Sequence, residues 1–178
     1  MTNEKRMAQN YTLAELNALS QNAFVEIVGP AFEHSPWIAR MAWQQRPFAD
    51  FNHLHQTLCE TVKQAGAEPQ LALIRAHPDL VGRAALTATL TRESAAEQAS
   101  AGLNNLSPAE IALFQKQNAA YQNKFGFPFV VCARLNKKAA ILAGFEARLK
   151  NSSADEIKTA LVEIFKIAEI RLRNLISF

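Results

Sequence analysis

Two cysteines in 178 residues are too few for a disulfide framework. Cys59 and Cys132 each lie in apolar sequence and are expected as buried reduced thiols. No stretch approaches the roughly 18 apolar residues that a bilayer span requires. The opening MTNEKRMAQNYTL lacks the apolar run of a secretory leader, and the closing ISF is not a peroxisomal address. A cytoplasmic protein without a membrane partner is the expectation. Charge of one sign is scarce too: 19 basic against 16 acidic residues gives a net +3, with the basic residues dispersed. The one near-cluster, RLR at 171–173, is too short for a nucleic-acid patch. HExxH, CxxC, P-loop, GxSxG and dinucleotide-glycine patterns are all absent, so metal, nucleotide and acyl-enzyme chemistry find no support in the sequence. Strand signals are thin. The one β-rich run, FPFVVCARL at 127–135, carries Pro128, which argues against a central strand. It reads as an extended or helical segment buried between helices.

Helix signals, by contrast, recur along the whole chain. Thr12 and Glu15 have capping-box spacing before LAELNAL, and Ser107 and Glu110 repeat it, with Pro108, before AEIALFQKQNAAYQNKF. Gly126 fits the C-terminal cap of that second helix. Ser35 and Pro36 predict another helix start, and Asp50 opens FNHLHQTLCETVKQA, which Gly66 ends. Ser153 and Glu156 open a last helix reaching about Leu175. The stretch 81–106, poor in large apolar residues, predicts short helices lying across other elements. With no repeats, low-complexity tracts or linkers, the expected architecture is one compact all-α, multi-helix domain over residues 1–178.

Three places could carry chemistry. In RAHPDL, His77 precedes Pro78, which disfavours helical backbone for the histidine and fixes a near-neutral titratable ring at a helix end. In SAAEQ, Ser94 and Glu97 have capping-box spacing, which could do no more than start a helix; with Gln98 they could instead face a cavity, where a carboxylate near His77 would favour its protonated form. On the last helix, Ile164, Ala168 and Leu175 share a face with Arg171. A guanidinium on a core-directed stripe is either a snorkelling side chain near a helix end or a planar clamp for an anion or a carbonyl oxygen. His34, His53 and His55 are weaker candidates. The HLH pair points to different sides of a helix, which disfavours a zinc pair.

Four separated motifs, RAHPDL, LTRESAAEQASAGLNNLSPAE, YQNKFGFPFVVCAR and EIFKIAEIRL, together resemble the 2-oxo-4-hydroxy-4-carboxy-5-ureidoimidazoline decarboxylases. The likeness extends from LNALSQNAFVEIVGPAFEHSPWIA to the last helix. The resemblance implies an all-helical, commonly dimeric enzyme without a cofactor. Such enzymes act after urate oxidation and 5-hydroxyisourate hydrolysis, and convert the unstable product to (S)-allantoin with loss of carbon dioxide. It implies His77 as the catalytic histidine, Glu97 as its partner carboxylate and Arg171 as the arginine of the terminal helix. It further implies substrate contacts from Pro78, from Ser94, Ala95, Ala96, Glu97 and Gln98, and from Phe129, Val130, Val131, Cys132 and Ala133, the last stretch largely through its backbone. The variation GLNNL at 102–106 removes no functional side chain. The rival readings are a non-catalytic helical module that binds a protein partner, and a degenerate relative that binds ureides without turning them over.

Overall fold

The structure, a computed structural model, describes residues 10–82 and 89–177. Among these residues there are nine α-helices and no strand, so the fold class is all-α. We label the helices α1 (Leu13–Ala18), α2 (Gln21–Val28), α3 (Pro36–Ala42), α4 (Phe51–Gln64), α5 (Ala67–Arg75), α6 (Arg92–Ser100), α7 (Pro108–Phe125), α8 (Lys138–Arg148) and α9 (Ser153–Leu175). The chain divides into two compact units, one drawn from Met1–Gln70 with Phe165–Phe178 and the other from Leu71–Ile164.

In the first unit, α2 packs on α3 and α3 on α4. Leu16, Phe24, Val28, Ile38, Leu54, Leu58 and Val62 are fully buried there, each worth about 1.5–3 kcal/mol of transfer free energy. Phe24 stacks on Phe48 at 5.8 Å. Thr12 completes its capping box with Glu15, and Asp50 accepts from the His53 amide at 2.8 Å, as their positions in the sequence predict. Ser35 does stand before α3, but its hydroxyl caps nothing; Pro36 at the first helical position starts the helix instead. His53 and His55 diverge as expected: His53 Nδ1 accepts from the Ala49 amide at 3.0 Å, while His55 Nε2 meets the Phe165 carbonyl at 3.0 Å.

The second unit is built around aromatic rings. Tyr121 of α7 contacts Phe125, Phe127, Phe129 and Phe145, and Phe129 stacks on Phe145 with centroids 3.9 Å apart. The capping box at Ser107 and Glu110 forms, and α7 ends where Gly126 turns left-handed at φ 75°. The segment from Phe127 to Cys132 is irregular and largely buried, the course expected for it. Two expectations need correction. Ser152 rather than Ser153 accepts the Asp155 amide, at 3.2 Å, and Glu156 is turned fully inward rather than closing a capping box. The start of α6 is capped by Thr91, whose hydroxyl accepts from the Ser94 amide at 3.3 Å; Ser94 and Glu97 therefore lie within the helix and are not its capping box. Of the short-helix stretch 81–106, residues 83–88 lie outside the described residues. Both cysteines are free and buried, and burial pushes the Cys59 thiol up to about 12.

Candidate active site

Helix α5 ends because Pro78 cannot continue it. The Ala76 and His77 amides still close the last turn, onto Ala72 and Ile74 at 3.0 and 3.2 Å. His77 is 7% exposed. Its Nδ1 lies 2.9 Å from the Leu73 carbonyl. A carbonyl can only accept, so Nδ1 carries a proton, and in the neutral ring the lone pair is on Nε2. A main-chain group of the preceding turn thus sets the tautomer.

The turn after the histidine is tightly specified. The Gly82 amide returns to the Asp79 carbonyl at 3.3 Å, and a Cβ on Gly82 would stand 2.5 Å from Asp79 Cβ, so only glycine fits. Val81 is left-handed at φ 53°, a conformation that costs a β-branched residue about 1–3 kcal/mol. Three side chains from two other helices hold this shape. Gln98 of α6 accepts the Val81 amide at 3.0 Å and donates to the Asp79 carbonyl at 3.4 Å. Asn118 of α7 donates to the Leu80 carbonyl at 2.7 Å. Gln122, one turn on, donates to both Asp79 carboxylate oxygens at 2.9 and 2.8 Å. Burial raises the Asp79 carboxyl above its usual range, and the Gln122 contact opposes that rise.

Helix α6 presents Ser94, Glu97 and Gln98 inward, all buried, with Ala95 and Ala96 exposed. The same helix packs against the turn Ala133–Leu135. The second unit therefore gathers three sequence-distant motifs: the HPDL turn, the SAAEQ helix and the end of FPFVVCAR. In the last of these, the Val130 carbonyl accepts from Arg148 at 2.7 Å, the Cys132 amide donates to Glu163 at 2.8 Å, and the Cys132 carbonyl accepts from Asn136 at 3.0 Å. Phe129 and Ala133 are buried with them, and Val131 is half-buried.

Arg171 belongs to the first unit. Its side chain is 8% exposed, its NH1 lies 2.9 Å from Glu33 Oε2, and it donates to the Pro30 carbonyl at 3.2 Å. The ion pair removes the snorkelling reading, since the head group is buried rather than carried out to water. No group of three or more His, Cys, Asp or Glu suited to a metal occurs among the described residues.

Several of these residues escaped the sequence reading. Asn118 had a readable signal: Phe114, Asn118, Tyr121 and Phe125 follow the spacing i, i+4, i+7, i+11, which puts an amide on a buried stripe. Glu156, on one face with Ala160 and Ile164, had the same signal, masked by its apparent capping role. Glu33 had none.

The chain is similar to known proteins along most of its length. A family model described as OHCU decarboxylase matches residues 17–173. The 2-oxo-4-hydroxy-4-carboxy-5-ureidoimidazoline decarboxylase of Haloferax volcanii is 42% identical over 93% of this chain and 96% of its own length. The protein of the same name from Halalkalicoccus jeotgali is 41% identical over 92% of this chain and 91% of its own. Among solved structures, an (S)-allantoin synthase superposes with a TM-score of 0.74 at 25% identity, over 93% of this chain and 54% of that one. An OHCU decarboxylase crystallised with (S)-allantoin gives 0.66 at 23% identity over 82% of this chain and 94% of its own, a likeness of fold.

Proposed function

The chain belongs to the OHCU decarboxylase family, and from that premise we propose that it decarboxylates 2-oxo-4-hydroxy-4-carboxy-5-ureidoimidazoline to (S)-allantoin, in the urate-to-allantoin branch of purine breakdown. The observation that carries the reading is Gln98, whose amide grips the turn that bears His77 from the helix that bears Glu97. Two motifs far apart in sequence are thereby tied together around a buried imidazole.

The chemistry suits these residue types. The carbon–carboxylate bond breaks and carbon dioxide leaves. The electron pair forms a bond to the ureido-bearing carbon as the C=N pair moves onto nitrogen, which takes a proton. The 4-hydroxyl then gives up its proton to become the carbonyl while the ureido-bearing carbon gains one, a net uptake of one proton. The ring is its own electron sink, so the reading calls for no cofactor. His77, with its Nδ1 proton committed to Leu73, exchanges protons through Nε2 with the 4-hydroxyl or with the new C–H bond. Glu97 orients the imidazole and contacts the substrate. Pro78 and Ser94 to Gln98 line one side of the ureide, and the backbone from Phe129 to Ala133 reads its amide groups through complementary donors and acceptors. Arg171 holds a carbonyl or carboxylate oxygen by charge-assisted hydrogen bonds. The reading also carries a homodimer with an isologous interface, in the cytoplasm; sedimentation at about twice the 19.7 kDa chain mass would match it. No helix among the described residues is long and apolar enough to cross a membrane.

The decisive experiment generates the unstable substrate from urate through the two preceding steps and follows the circular dichroism of the allantoin formed. A lasting (S) signal with the protein, and a racemic product without it, is the expected result. Racemic allantoin in both would overturn the reading. In the same assay Glu97→Gln should cut turnover by about 10²-fold with little change in melting temperature, since Glu97 is not the helix cap.

A further inference from the structure

The segment from Phe129 to Ala133 has no strand beside it among the described residues. The Leu135 and Asn136 amides reach its Cys132 and Ala133 carbonyls at 3.0 and 3.1 Å, and side chains hold the Val130 carbonyl and the Cys132 amide. The largest of these anchors is an ionic network within the second unit. Glu156 is completely buried. The Arg148 side chain, 12% exposed, meets Glu156 Oε1 through Nε at 2.6 Å and through NH2. Tyr121 donates its hydroxyl to the same oxygen, and Asn151 donates to Oε2 at 2.7 Å. The guanidinium also lies 4.3 Å from the Phe129 ring centroid, and its remaining NH1 donates to the Val130 carbonyl at 2.7 Å. One planar group therefore serves a buried carboxylate, an aromatic ring and a carbonyl of the segment.

Stability alone is a poor reason for such a pair, because buried ion pairs can often be replaced by apolar residues of similar volume without loss. What apolar residues cannot do is hold a carbonyl at a fixed point. We propose that Arg148, locked by Glu156, is a positioning residue for substrate binding: it pins the Val130 carbonyl and so sets the path of the backbone from Phe129 to Ala133. The inference rests on the proposed use of that backbone by the ureide. Arg148 touches no reacting atom in this scheme; it acts through the segment it holds.

The test replaces the pair as a pair, Arg148→Met with Glu156→Leu, in the full chain. Helical circular dichroism should be kept, while the melting temperature should fall because the Tyr121 hydroxyl, the Asn151 amide and the Val130 carbonyl lose these partners. KM for freshly generated substrate should rise about tenfold or more while kcat falls by less than about threefold, the signature of lost binding rather than lost chemistry. The pH profile should keep its shape. A folded double variant whose KM stays within about twofold of the parent overturns the proposal. If the double variant does not fold, Arg148→Lys decides: it keeps the charge beside Glu156 but cannot fork to the Val130 carbonyl as well, so the same rise in KM is expected, and an unchanged KM is fatal. Calorimetric affinity for (S)-allantoin is measured on every protein as a readout independent of turnover. If the parent protein makes no (S)-allantoin the reaction reading falls, and the comparison of affinities still decides on Arg148.

Discussion

A single ring nitrogen carries most of the chemical weight. Because Nδ1 of His77 is committed to the Leu73 carbonyl, the side chain cannot swap tautomers without breaking that bond. His77→Asn should therefore lower (S)-allantoin formation by about 10²–10⁴-fold while far-ultraviolet dichroism stays helical; parent-level turnover would remove His77 from the mechanism. Arg171 is a different case. Its NH1 serves both Glu33 and the Pro30 carbonyl, and a lysine in its place has a shorter reach and no further guanidinium nitrogens to offer an oxygen of the substrate. Arg171→Lys should lose at least about tenfold in activity and also melt earlier, because Glu33 is left less well paired. Full activity in that variant would reduce Arg171 to a structural ion pair. The presence of an arginine on the Ile164 and Ala168 face was legible in the sequence, because a charge interrupts an apolar stripe. Its partner was not. Glu33 lies in a short turn with no periodicity, and only three-dimensional packing brings it to the helix.

At the scale of elements, caps were the most readable feature, since they depend on neighbours three or four residues away. Thr12, Asp50, Ser107 and Gly126 all stand where their chemistry places them. The failures came where a second demand competed. Glu156 has the spacing of a capping residue but is drawn inward by Arg148, and Ser94 is displaced as a cap by Thr91 three residues earlier. The capping box of α7 yields a pH prediction. Hydrogen bonding from Lys138, then from Ser107, holds the Glu110 carboxyl down to about 2 against its ordinary 4.5. A folded-state value below the unfolded one stabilises at higher pH, so this contribution is complete above about 4.5 and is lost as pH falls toward 2. Glu110→Gln should melt slightly earlier than the parent at pH 7, with the gap closing by about pH 2. The effect is small because Glu110 is exposed and screened. Melting curves at both pH values check it, and a gap persisting at the acid end would refute it.

Across the molecule as a whole, fold class was legible because helical periodicity and caps agree along nearly the entire length. The division into two contact units was not, since α5 and α9 each run unbroken from one into the other and leave no linker to read. The site was partly legible. Its motifs could be quoted, but the Gln98, Asn118 and Gln122 bonds that shape the HPDL turn span 17 to 43 residues and appear only in three dimensions. Binding gives the test that separates an enzyme from a helical scaffold. A ureide such as allantoin that binds the native protein at about 100 times its dissociation constant should stabilise it by about 2.7 kcal/mol, visible as a raised melting temperature. No shift at saturating allantoin would favour the scaffold.

The hydrogen bond from His77 to its own helix carries one more implication. An imidazole moored at its inner nitrogen has only Nε2 left to offer, so a flat ring bound against it in one pose would meet the proton on one face. The handedness of the product would then trace back to a peptide oxygen in the last turn of α5, an atom that no side-chain substitution removes.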